Sequence, residues 1–309
     1  MHIRRAAGTL AACALLAVAC LSSPVWAGPQ PTDDPTAAEP VEPAKPVPLS
    51  VSVDYTLTTD YIFRGINFSE YAGEGREDLN HQLGIGVEYD AAALGAFGAS
   101  VWFEWFAGQE ALTPGQSDNL QEVDYAAYWS YAVEPIATTV ELGYIAYHFP
   151  RLSGDAECTH EWYASLSFDD SSWFGVDAPV LNPTVTFYDD VDDFRGSCFE
   201  ISVSHDFALG DSPATAETPV LKDLTLTPSL TLGVDHRWMG PAVGSTDEST
   251  RLANLVYGLD AVCDLSSALG IPEPYGELSL GGFLYYSQAF RSELINDEFW
   301  GGMTLSWTW

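Results

Sequence analysis

Carboxylates recur along this chain at positions that alternate with apolar neighbours: Asp60, Glu88, Glu104, Glu141, Glu161, Glu200, Asp206, Asp235, Asp260 and Glu277. Two guanidinium groups, Arg64 and Arg237, join them near the ends of the same runs. A surface that gathers carboxylates draws cations and repels anions, so the chemistry on offer is selection and passage. Arg64 reads either as part of a constriction or as a structural tie at a rim. Bond-making chemistry lacks its parts. Ser204-His205-Asp206 has the letters of a hydrolytic triad, but consecutive strand residues face opposite ways, which separates His205 from the other two. His148 and His160 fall at run ends and read as polar rim groups. Asp189-Asp190-Val191-Asp192-Asp193 offers hard oxygen donors without the spacing or glycine of an EF-hand loop, and reads as a solvated charge run. Neither a metal nor an organic cofactor is expected.

The elements that would position these residues are strands. Met303-Thr304-Leu305-Ser306-Trp307-Thr308-Trp309 alternates apolar and polar up to the chain end, the period of a strand with two unlike faces. The same alternation starts at Val51, with Val53, Tyr55, Leu57, Thr59, Tyr61 and Phe63 on one side. It returns at Leu83–Tyr89, Phe97–Trp105, Val123–Tyr131, Val140–Ala146, Trp162–Phe168, Val185–Phe187, Phe199–Phe207, Leu224–Val234, Leu255–Leu259 and Leu278–Leu284. Five of these twelve runs span 9 to 13 residues, enough for a tilted strand to cross hydrocarbon. None of the apolar-face positions carries a charge, and one there would cost about 2–4 kcal/mol at mid-membrane. Tyr61, Phe63, Trp129, Tyr131, Trp238, Tyr286, Trp307 and Trp309 are candidates for aromatic girdles. The expectation is an all-β protein, a transmembrane antiparallel up-and-down β-barrel of about 12 strands. A lumen of that size lies between filled and open, and inward Trp102, Phe106, Tyr128, Tyr147, Tyr163 and Tyr285 would fill part of it. The links 169–180 and 208–223, which should be short periplasmic turns, are long. Either the strand parity slips there or the turns are unusual.

Residues 1–27 read as a signal peptide, with Arg4 and Arg5 before an alanine-rich apolar stretch and Val25-Trp26-Ala27 at the cleavage site. Residues 28–48, rich in Pro and acidic side chains, read as an extended linker, and residues 49–309 as the barrel. The formal net charge of −33 excludes nucleic acid as a partner, since phosphate binding needs Lys and Arg. Cys158 and Cys198 are a candidate disulfide across neighbouring loops.

Thr59-Asp60-Tyr61-Ile62-Phe63-Arg64-Gly65-Ile66 resembles the opening strand of the TorF-family porins. Leu142-Gly143-Tyr144, Tyr188-Asp189-Asp190 and Phe199-Glu200-Ile201-Ser202 resemble later strands of that family. The resemblance implies an outer-membrane barrel and a passive diffusion channel. The expected partners are outer-membrane lipid, cations or small neutral solutes, and the barrel-assembly machinery reading the strand that ends at Trp309. A non-conducting structural or recognition barrel is the alternative, with a lipid-modifying enzyme behind it.

Overall fold

The computed structural model describes residues 48–69, 79–106, 120–150, 157–218, 220–247 and 249–309. The signal peptide and all but the last residue of the linker lie outside the described residues, as does the Phe106 side chain. The wall begins with β1 (Leu49–Thr58), β2 (Asn80–Asp90), β3 (Ala96–Phe106), β4 (Leu120–Val133), β5 (Thr138–His148) and β6 (Cys158–Phe168). It continues with β7 (Thr184–Asp190), β8 (Ser197–Ser204), β9 (Leu224–His236), β10 (Thr250–Asp264), β11 (Glu277–Ala289) and β12 (Glu298–Thr308). Each strand pairs antiparallel with its chain neighbours, and β1 meets β12 from Ser52↔Thr308 to Thr58↔Gly302. The result is a closed antiparallel barrel of 12 strands, in which no wall strand presents an unpaired edge.

Alternation decides which way each side chain points. Tyr125, Trp162 and Phe299 are 56%, 58% and 57% exposed on the outside, with Ile85, Leu142, Ile201, Tyr257, Leu284 and Leu305 on the same surface. A contiguous apolar exterior of this extent belongs against hydrocarbon rather than water. The inward positions are mostly polar, glycine or aromatic, with Ala126, Ile145, Val256 and Val262 as aliphatic exceptions.

The strand parity holds throughout, so the long links are unusual turns on the side where β1 starts and β12 ends. In the first, buried Asp170 accepts the N–H groups of Val180 and Leu181 at 2.7 and 2.9 Å beside a single helical turn, Ser171–Phe174. In the second, β8 stops at Ser204 and a two-residue strand, Phe207–Ala208, pairs with β9. β7 is short, at 7 residues, as its brief pattern suggested, and β8 spans 8 residues and ends before Phe207, where its pattern ran.

Three further expectations need correction. The first run does not reach Phe63: β1 ends at Thr58, and residues 59–69 turn into the lumen. Ile62–Phe63 pairs with Ile66–Asn67 there across Arg64 and Gly65, both at positive φ (51° and 84°). Glycine suits that geometry, and a Cβ on Gly65 would come within 2.9 Å of the Asn254 amide. Secondly, Tyr61, Phe63 and Trp238 belong to no girdle, because they pack inside. Thirdly, Cys158 and Cys198 are both free. Cys158 shares the outward parity of Trp162, whereas Cys198 shares the inward parity of Glu200, so the wall separates them. Alkylation of the unfolded chain without reductant should therefore label Cys158, Cys198 and Cys263 alike. Protection of two of them would mean a bond the register forbids.

Candidate functional site

The lumen has two unlike halves. At the end opposite the termini, inward polar side chains are sealed from water: Asn80, Glu104, Glu161, Asp190, Asp235 and Ser287 are each under 5% exposed. The seal is residues 59–69, packed with the loops after β9 and β11. Ile66, Cys198, Trp238, Met239, Ala253 and Ile295 form its apolar cluster. Ala253 reaches this cluster because the β9–β10 register shifts between Gly233 and Val234, a bulge that re-aims one residue inward.

Arg64 is the polar centre of the seal. Its guanidinium bonds both oxygens of Glu161 at 2.7 and 2.8 Å, with side-chain exposures of 6% and 1%. The Tyr147 hydroxyl donates to the same carboxylate at 3.0 Å. The guanidinium carbon lies 4.6, 4.3 and 4.8 Å from the ring centres of Phe63, Tyr188 and Trp238. Burial alone would weaken the charge, yet the Glu161 hydrogen bond raises the pKa of Arg64 above that of free arginine. A second buried cation, Arg291, ties the far loops by bonding Asp235 and, at 2.7 Å, Asp247. Asp235 also accepts the Trp238 and Met239 N–H groups at 3.0 and 2.8 Å.

Nearer the termini the lumen opens. Three inward tyrosines lie flat along the wall there, each over the glycine directly opposite. Tyr128 covers Gly98, Tyr163 covers Gly143 and Tyr285 covers Gly258. A Cβ on these glycines would come within 2.0, 2.2 and 2.7 Å of the ring or its neighbour. Each hydroxyl donates to a carboxylate: Tyr128 to Glu88 at 2.7 Å, Tyr163 to Glu141 at 2.8 Å and Tyr285 to Asp260 at 2.7 Å. The glycines opposite set where these three inward rings lie within the lumen. Glycine opposite each ring lets it lie against the wall. Trp102 and Tyr147, by contrast, do pack on the inserted segment, against Tyr61 and Phe63.

Of the carboxylates singled out from sequence, Glu88, Glu141 and Asp260 line the open half, and Glu200 borders the seal in a small cavity shared with Arg64. Glu104 and Glu161 lie in the sealed half, and Asp235 serves the loop tie. Asp60 rides on the inserted segment, where the Asn67 amide reaches it at 3.4 Å. Asp206 and Glu277 are exposed at the terminal end, Asp206 accepting from Thr227 at 2.6 Å because β8 has already ended. Arg237, at φ 66°, is exposed on the far loop and lines no lumen. Sequence reasoning missed Arg291 and Glu122. Glu122 sits opposite Glu104 on a stretch of β4 that starts before the clean alternation. Arg291 sits in a loop, yet in a chain with 11 basic residues against 44 acidic ones, every cation is a candidate tie.

The acidic run is occupied by its own backbone: Asp190 accepts from Thr159 at 2.7 Å and from the N–H groups of Asp192, Phe194 and Arg195 at 3.0–3.1 Å. His148 and His160 are outer-wall groups, bonded to Cys158 and Tyr144 at 3.3 and 2.7 Å. His205 donates to or accepts no triad partner; its Nδ1 meets the Val180 carbonyl at 2.6 Å.

Among solved structures the fold is similar to the KdgM porin (TM-score 0.42, 11% identity, 84% of this chain and 98% of that one). It is also similar to the COG4313 outer membrane channel from Pseudomonas putida F1 (0.45, 9%, 87% and 100%). A third likeness is to the outer membrane protein OprD from Pseudomonas aeruginosa (0.35, 11%, 84% and 65%). At such scores these likenesses bear on neither mechanism nor solute. No family model and no curated protein matches the chain. The TorF resemblance therefore stands on its own residues, and its opening motif forms the inserted segment instead of a wall strand.

Removing Glu161 as Glu161→Ala strands a buried guanidinium. It should cost about 3–5 kcal/mol, measured as a lower unfolding midpoint of the detergent-solubilised barrel. An unchanged midpoint would show that the pair does not hold the segment.

Proposed function

We propose that this chain is an outer-membrane, porin-like channel, held shut at its outer mouth by residues 59–69, that favours cations or small neutral polar solutes. The apolar exterior, the signal-like leader and the aromatic closing strand support an outer-membrane setting, with lipid against the wall and assembly machinery reading the strand that ends at Trp309. The far end of the barrel is then the cell surface.

One observation carries the solute preference. Between the seal and the terminal end, the ionisable groups on the described inward faces that are stronger acids or bases than tyrosine are carboxylates: Asp54, Glu88, Glu141, Glu200 and Asp260. The described basic side chains sit elsewhere, Arg64 in the seal and Arg195, Lys222, Arg237, Arg251 and Arg291 in or beside end loops. A low-dielectric wall concentrates the field of such carboxylates in the water between them. The sealed outer half favours a second reading, a non-conducting barrel that serves as structure or recognition surface. The separation of Ser204, His205 and Asp206 gives no support to the lipid-enzyme reading.

Planar-bilayer recording separates these. The unaltered protein should be mostly silent, and Arg64→Gly, which removes the latch while suiting the positive φ, should give discrete steps selective for K⁺ over Cl⁻. Anion-selective steps would overturn the acidic-lumen reading. Silence of both proteins would favour the non-conducting barrel.

A further inference from the structure

The seal and the open half are joined by a continuous series of inward residues. Following the ladder from strand to strand, Gly98 faces Tyr128, which faces Gly143, then Tyr163, Tyr188 and Cys198. Gly98 lies near the terminal end of β3 and Cys198 near the far end of β8, so this row climbs the lumen as it circles. Its aromatic members are Tyr128, Tyr163 and Tyr188, the last two with ring centres 5.9 Å apart. The carboxylates Glu88, Glu141, Glu161 and Glu200 flank the same path. The top of the row is already occupied by a cation. Arg64 presses its guanidinium on Tyr188 at 4.3 Å and on Trp238 at 4.8 Å, while Glu161 takes its two N–H groups. An aromatic face with a carboxylate in the plane of the cation is the recognition chemistry of guanidinium and alkylammonium groups. Lower on the path the same two components recur with no protein cation described between them.

We infer that the lumen is a binding track for solutes bearing a guanidinium or amine group, and that Arg64 is its tethered occupant. The inference rests on the channel reading for its biological sense but not for its chemistry, since the track would bind such groups whether or not the pore conducts. A free cation of this class competes with Arg64 for Tyr188 and Glu161. The solute that the track holds is therefore also the one that loosens the seal. Small inorganic cations feel the carboxylates but gain less from ring faces, because their hydration is held more tightly.

The test is chemical rescue. Arg64→Gly leaves the cage of Phe63, Tyr188 and Trp238 beside an unpaired Glu161. Methylguanidinium chloride at millimolar concentration should restore much of the lost thermal midpoint of the detergent-solubilised variant, and KCl at equal ionic strength should not. Should the variant fail to fold, calorimetric titration of the unaltered protein with methylguanidinium decides. Binding should weaken about tenfold in Tyr163→Leu, the size of one ring–cation contact, and survive in Tyr163→Phe, which keeps the ring. Equal effects of methylguanidinium and K⁺ in either experiment, or equal binding by the leucine variant, would overturn the track. Neither readout needs a current. Binding without conductance sinks the channel and leaves the track, and conductance without binding does the reverse.

Discussion

Closure of the ladder is the constraint from which everything else follows. Hydrocarbon offers no hydrogen-bond partner, so a sheet can stand in it only if its first and last strands meet. Here they meet over seven residue pairs, Ser52↔Thr308 to Thr58↔Gly302. Closure then turns alternation into an inside and an outside. The apolar face has nowhere to go but outward, and most polar side chains of the wall are committed to one shared interior. The interior becomes crowded with carboxylates because of this topology, and their mutual repulsion is the problem that the rest of the molecule answers.

The answer differs between the two ends. Near the termini, water reaches the acids and tyrosine hydroxyls satisfy one oxygen of each pair-forming carboxylate. At the far end, residues 59–69 replace water with protein, which is costly for any buried charge that lacks a partner. Arg64 neutralises Glu161, and Arg291 neutralises Asp235 and Asp247. Both cations are arginine, whose planar fork meets a carboxylate in two places and stacks on rings. Lysine could do neither as well.

The wall was legible in the sequence because its signal is periodic and repeated. Runs such as Leu83–Tyr89 and Met303–Trp309 fall on strands with the facing that alternation assigned. What escaped was local irregularity. Thr59, Tyr61 and Phe63 keep the alternation after the strand has ended, since a hairpin that packs inside a barrel has the same need for one apolar side. The role of Arg64 as a tie was one of two readings, while the distance in sequence from Glu161 hid their meeting. The flat tyrosines escaped for another reason. Periodicity gives a side chain's direction but not its tilt, and tilt is set here by what stands on the adjacent strand. Gly98, Gly143 and Gly258 were the available clue, being small residues at inward positions where bulk was expected.

The climbing row of tyrosines has a geometrical corollary. Strands of L-residues twist with one hand only, so the staircase these rings form winds in a single sense. A molecule that touches several treads at once must turn as it advances, and it turns the same way in every copy of the protein. Mirror-image solutes of equal size and charge would thus meet the rings in different orientation.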